Sequence, residues 1–150
     1  MPLALGAAIA LFLAGLAAGG LSALQAAVNG RLAGHTGTLN AVLISITVSF
    51  AAILVVGLAA RSPKTLSLVG VPPYLLLGGV AGLAYVAAMT YLAPRLGVTP
   101  TLVAAIAGQL LAAIVLDHFG VLRDTPIHLN LPRLLAAALV LVAVPLSRAS

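Results

Sequence analysis

The chain has 150 residues, 63% of them apolar and 6% charged, with a formal net charge of +5 and a mean hydropathy of +1.25. A soluble domain carries about 25% charged residues on a surface that must face water, so this composition excludes one and makes lipid the natural solvent. Cysteine is absent, which excludes a disulfide framework and thiol chemistry. The basic residues Arg31, Arg61, Lys64, Arg95, Arg123, Arg133 and Arg148 stand singly without interleaved aromatics, which argues against a nucleic-acid surface.

The length suits five apolar spans of about 20 residues each. Helix 1 is predicted over residues 3–29, ending at Gly30-Arg31. Its apolar stretch has no basic segment before it and exceeds the roughly 7–15 residues of a signal-peptide core, so it is expected to be a retained span. Gly30 to Thr38 then reads as a loop. Helix 2 is predicted over 40–60 and stops at Arg61-Ser62-Pro63-Lys64, where a proline and two charges oppose continuation in hydrocarbon. Helix 3 opens at Pro72-Pro73, tolerated in a first turn that lacks N–H partners anyway, and is predicted over 73–93, ending before Pro94-Arg95. Helix 4, over 99–119, follows Thr99-Pro100 and ends at Phe119-Gly120.

Helix 5 is predicted over 131–147, opening near Asn130-Leu131-Pro132. Arg133 and Arg148 confine it to about 22 Å at 1.5 Å per residue, so both arginines must snorkel if it spans. Backbone polar groups in lipid must be satisfied within the segment, which requires helices, and the alternation of a barrel strand is missing. The fold class is therefore an all-α integral membrane protein with five transmembrane helices in one transmembrane domain.

Five spans place the termini on opposite sides. Arg61, Lys64, Arg123 and Arg133 then lie on the N-terminal side, and Arg31, Arg95 and Arg148 on the other, four against three. Orientation follows this bias, and a bias of one charge predicts dual topology with antiparallel pairing of two copies. Such a homodimer of ten helices would reproduce the inverted repeats of many transporters. Gly15/Gly19 and Gly78/Gly82 form GxxxG patterns suited to close helix packing.

A polar group at membrane depth is a site candidate because leaving it unpaired in hydrocarbon is costly. Ser45, Thr47, Ser49, Tyr85 and Gln109 lie within the spans, and Ser49, Tyr85 and Gln109 fall near their centres. Serine and threonine can bond back to their own helix, whereas the Gln109 amide has two donors and an acceptor that one helix cannot satisfy. Gln25 and Asn29, four apart, share one face of helix 1, where an interhelical hydrogen bond is the structural alternative to substrate contact. Asp117 is the only acid within an apolar run. At the end of helix 4 it is either a solvated cap, a partner for Arg123 or Arg133, or a substrate contact. His35, His118 and His128 read as loop residues without metal-ligand spacing, so neither a metal nor another cofactor is expected. No nucleophile–base set or phosphate loop is present, and an enzyme is not expected.

Three segments resemble a known family. Ala23-Leu-Gln-Ala-Ala-Val-Asn-Gly-Arg-Leu-Ala33 is similar to the end of the first helix in the short, five-helix YdcZ-like branch of the drug/metabolite transporter superfamily. Leu77-Gly-Gly-Val-Ala-Gly82 with Pro94-Arg-Leu-Gly97 resembles that family's third helix and its exit. Ala107-Gly-Gln-Leu-Leu-Ala-Ala-Ile-Val-Leu-Asp-His-Phe-Gly120 resembles its Gly-Gln…Asp-x-Phe-Gly signature, and Arg133 opens the last helix as in the family. The resemblance implies a small transporter of the cell inner membrane whose five-helix members pair in opposite orientations, with Gln25, Asn29, Gln109 and Asp117 as its characteristic polar residues. The chain departs at Ala26, where the family often has proline, at Tyr74 in place of tryptophan and at Ala136 in place of glycine. Without that proline, a broken helix 1 is not expected.

The function expected is secondary transport of a small solute by alternating access between two antiparallel protomers, with Gln109, Gln25, Asn29, Tyr85, Ser49 and Asp117 as substrate contacts. Small multidrug exporters place a carboxylate deep in the membrane to exchange protons for cations. Asp117 at a helix end disfavours that scheme and leaves neutral or amide-recognised solutes. The alternatives are a passive channel and a non-transporting membrane subunit.

Overall fold

The computed structural model describes residues 5–60, 68–120 and 127–148. Among these the chain is helical throughout, without strands: α1 (Leu5–Thr36), α2 (Thr38–Ala59), a single 3-10 turn (Pro73–Leu76), α3 (Leu77–Leu96), α4 (Val98–Phe119) and α5 (Leu131–Leu146). Four segments, α1, α2, Pro73–Leu96 and α4, are long and apolar enough to cross a membrane, and α5 is a shorter apolar helix. At 1.5 Å per residue α1 is about 48 Å long and α5 about 24 Å, against a hydrocarbon core of about 30 Å. The helices present large apolar side chains outward, among them Phe12 (81% exposed), Leu16 (76%), Val55 (66%) and Leu139 (71%). No water-soluble monomer sustains apolar surface on that scale. The chain is membrane-integral.

The first loop is corrected. Helix 1 does not end at Asn29 but continues through Gly30, Arg31 and Gly34 to Thr36. A glycine inside a helix costs about 1 kcal/mol relative to alanine, whereas a freed backbone group at membrane depth costs several kcal/mol. Helix therefore persists until the backbone is forced out of it. That happens at Gly37, with φ 82° and ψ 155°. Helix 3 likewise runs past Pro94 to Leu96 and is stopped by Gly97, at φ 89° and ψ 153°. Both glycines occupy a region essentially closed to other residues, where a side chain would add about 1–3 kcal/mol of strain. Each junction is one residue long, so His35 lies in the last turn of α1 and not in a loop.

Other ends follow sequence chemistry. Gly120 closes α4 in the left-handed conformation (φ 60°, ψ 31°), its N–H directed at the carbonyls of Leu116 and Asp117. His118 falls inside this last turn, a second departure from the loop expectation. Asn130 caps α5, its side chain accepting from the Arg133 N–H, with Pro132 in the first turn. The guanidinium of Arg95 lies 3.5 Å from the centroid of the Tyr91 ring and its Nη1 donates to the Tyr91 carbonyl, tying that charge to the end of α3.

The chain divides into two compact units, Met1–Arg95 and Leu96–Ser150. In the first, α1 packs on α2, and the buried positions are Ala26, Asn29, Gly30, Ala41, Val42, Met89, Thr90 and Ala93. A Cβ built on Gly30 would meet Pro94 Cδ at 3.3 Å, so this glycine admits α3 to close contact with α1. In the second, α4 packs on α5 around Thr101, Ala107 and Ala137. Small side chains at these positions allow close backbone approach where lipid supplies no hydrophobic drive between helices. The buried threonines return their hydroxyls to their own helices, Thr90 to the Val86 carbonyl and Thr101 to that of Gly97, both at 2.7 Å.

Candidate functional site

Two polar contacts join helices. In the first unit Asn29 Nδ2 donates to Ser45 Oγ at 3.0 Å. Asn29 is eight residues before Gly37 and Ser45 eight after it, so the turn sets the two opposite each other, about 12 Å along the helices from the junction. Asn29 is 7% exposed. Its amide is thus removed from solvent and retained by a neighbour, which offsets the cost of burying it. Gln25, one turn earlier on the same face, is exposed. Asn40 Nδ2 closes the junction by donating to the Thr36 carbonyl.

In the second unit Arg133 Nη1 donates to Asp117 Oδ2 at 3.0 Å, both side chains being about one-third exposed (32% and 29%). The pair resolves an electrostatic conflict. A carboxylate at a helix C-terminus and a cation at a helix N-terminus each oppose the dipole of their own helix. Asp117 lies in the last turn of α4 and Arg133 in the first turn of α5. By pairing, each charge meets the complementary end of the other helix. Of the two arginines open as partners for Asp117 in the sequence, Arg133 is engaged, and Arg123 lies outside the described residues. The carbonyl of Asp117 also accepts from the Ile127 N–H at 2.8 Å, which holds the approach to α5 against the end of α4.

The remaining candidates are placed as follows. Ser49 is exposed on α2, Tyr85 is half-buried on α3, and Gln109 is exposed on α4. Within their own units, the side chains of Gln25, Ser49, Tyr85 and Gln109 form no hydrogen bond among the described residues. Gln109 precedes Asp117 by eight residues, about 12 Å along α4 and about 80° around it. Gly15, Gly19, Gly78 and Gly82, the two GxxxG pairs, have open space where a Cβ would stand. A groove along α1 is lined by Ala8, Leu11, Phe12, Gly15 and Leu16 and is almost wholly apolar. At the start of α4, a cavity of about 340 Å³ is lined by residues that include Thr99, Ser147 and Arg148. Among the described residues no group of three histidine, cysteine or acidic side chains could hold a metal.

Sequence reasoning weighed Asn29 and Ser45 separately. The signal that pairs them is their equal distance from Gly37, and it becomes usable only once the turn is known to be a single residue. It also missed His118, a half-buried side chain whose Nδ1 is enclosed without a hydrogen-bond partner among the described residues.

A family model described as "Putative inner membrane exporter, YdcZ" matches residues 10–146 of the chain. No curated protein and no solved structure matches it.

Proposed function

The chain belongs to this YdcZ family, and from that premise we propose that it moves a small solute across the inner membrane by alternating access between two antiparallel protomers. The observation that carries the reading is the state of its amides. Gln25 and Gln109 lie in membrane-length apolar helices and are exposed, where an unpaired amide in hydrocarbon is costly. A second protomer and a polar solute together supply partners for them. Gln109 binds the solute, with Gln25, Asn29, Ser49 and Tyr85 as further contacts and Asp117 at the mouth of the path.

Antiparallel pairing is supported by the charge distribution. Read as five spans, the sequence puts Arg31, Arg95 and Arg148 on one side and Arg61, Lys64, Arg123 and Arg133 on the other, too even a split to fix one orientation. It is supported also by the bare small-residue face at Gly15 and Gly19 of α1. A reporter fused to the C-terminus and active on one side only is expected to give signal on both sides. An exclusively one-sided signal removes the antiparallel homodimer.

Transport itself is tested in reconstituted liposomes against a panel of neutral and amide-bearing metabolites. Saturable flux is expected for at least one of them, with Gln109→Leu reducing it by about tenfold or more, the equivalent of one lost hydrogen bond of about 1.5 kcal/mol. Absence of flux for every solute, or flux indifferent to Gln109→Leu, ends the reading; single-channel conductance steps would replace the carrier with a pore.

A further inference from the structure

We propose that the cavity between the start of α4 and the end of α5 holds the headgroup phosphate of an anionic phospholipid, gripped by Arg148. The cavity lies wholly within the second unit, and the inference does not depend on what the chain transports. It begins from the two arginines of the α5 segment. Arg133 and Arg148 are about 22 Å apart at 1.5 Å per residue, and residues 134–146 between them carry no polar side chain. A hydrocarbon core is about 30 Å thick. Packed on the membrane-length α4, α5 is too short to hold both charges clear of hydrocarbon. Each therefore needs a partner of opposite charge.

The two ends meet that need differently. Arg133 is bonded to Asp117 at 3.0 Å. Arg148 is exposed, and its guanidinium has no hydrogen bond or ion pair among the described residues. Asp117 is the only acid among those residues. It stands at the far end of α4, about 27 Å from Thr99 along the helix. The counter-charge for Arg148 comes from outside the helices, and what lies beyond a helix end in a bilayer is a layer of phosphates.

The cavity suits such a group. Its volume of about 340 Å³ equals that of about eleven liquid waters at about 30 Å³ each, enough for a phosphodiester and the group it carries. Arg148 offers donors in a planar fork that matches two phosphate oxygens. The Thr99 hydroxyl forms no hydrogen bond among the described residues, which leaves it as a further donor. The Ser147 hydroxyl donates to the Val144 carbonyl at 2.7 Å, so its oxygen can only accept. That oxygen fits a hydroxyl on the headgroup. No acid or aromatic ring among the described residues lines the cavity, so nothing there would hold the quaternary ammonium of a choline. The chemistry favours a headgroup of net negative charge that carries hydroxyls, as phosphoglycerol does.

The test uses the full chain in nanodiscs of phosphatidylcholine containing a minor share of phosphatidylglycerol. Both faces present the same lipids, so the orientation of the chain does not affect the result. Spin-labelled forms of the two lipids report how strongly each associates with the protein. Phosphatidylglycerol is expected to be preferred, and Arg148→Gln should lower that preference about fivefold, the equivalent of about 1 kcal/mol for one basic residue at a membrane surface. Arg148 lies beyond the last residue of α5, so its side chain can be replaced without altering a helix. Arg31→Gln, which removes an exposed arginine outside the cavity, should leave the preference nearly unchanged. No preference in the parent, full preference in Arg148→Gln, or an equal fall in both variants overturns the site. Inorganic phosphate, compared with chloride at equal ionic strength, should not displace the labelled lipid. Displacement would mean a site for free anions and would overturn the assignment to lipid.

Discussion

Arg133→Leu is expected to destabilise the protein by about 1–3 kcal/mol, the range for losing a hydrogen bond to a charged group together with its partner's compensation. The loss is asymmetric in origin. The leucine itself is acceptable in the first turn of α5, but Asp117 is left as a carboxylate at the negative end of α4 with no cation among the described residues to offset it. Three further variants separate this cause from a mere change of packing. Asp117→Asn, which removes the charge and keeps an amide, should cost less than Arg133→Leu. Asp117→Leu with Arg133→Leu should recover much of the loss, because no unpaired charge remains. The exchange Asp117→Arg with Arg133→Asp should also recover much of the loss, since the two opposite charges again stand opposite each other. The measurement is the midpoint of helix loss on heating, followed by circular dichroism in detergent. If the double leucine variant is no better than Arg133→Leu alone, the dipole account is wrong.

The sequence and the structure agree where lipid forces the outcome. Five apolar segments punctuated by Arg61-Ser62-Pro63-Lys64, Pro72-Pro73 and Asn130-Leu131-Pro132 could be read because charge and proline act locally. The end of α1 could not. Gly30, Arg31 and Gly34 have a loop composition, but in a membrane the backbone's need for internal partners outweighs propensity, and the helix yields only at Gly37. Proline in the last turn misled in the same way at Pro94, and Gly97 does the stopping. Of the candidate site, polar residues could be nominated but their partners could not. Asp117 had two arginines within reach in sequence, and its bond to Arg133 depends on how α5 packs against α4. The Asn29–Ser45 bond depends on the one-residue junction. Gln25 and Gln109 stay in the position expected from the sequence, costly amides without side-chain partners in their own units among the described residues.

The glycines of the first unit divide by the same logic, and Gly30→Leu is the second large effect expected. Gly30 is buried, and a Cβ alone would stand 3.3 Å from Pro94 Cδ. An alanine there needs a shift of a few tenths of an ångström. A leucine adds three further carbons against a ring that cannot fold away, so α3 must move off α1, at a cost of about 1–3 kcal/mol for overpacking. The same displacement would disturb Asn29, the adjacent residue, and its bond to Ser45. A Cβ at Gly15 or Gly19 would meet nothing within 4 Å, so Gly15→Leu and Gly19→Leu should leave the thermal stability of the protomer unchanged. If the small-residue face of α1 lies against a second copy, these two variants should instead lower the fraction of dimer, measured by cross-linking in nanodiscs, while Gly30→Leu lowers the melting midpoint of the protomer itself. The two readouts should separate cleanly, because one glycine is occupied from within the chain and the others are open from without. A Gly30→Leu protein that melts with the parent would mean that α3 does not depend on α1 for its seat, and the packing assigned to Gly30 and Pro94 would have to be abandoned.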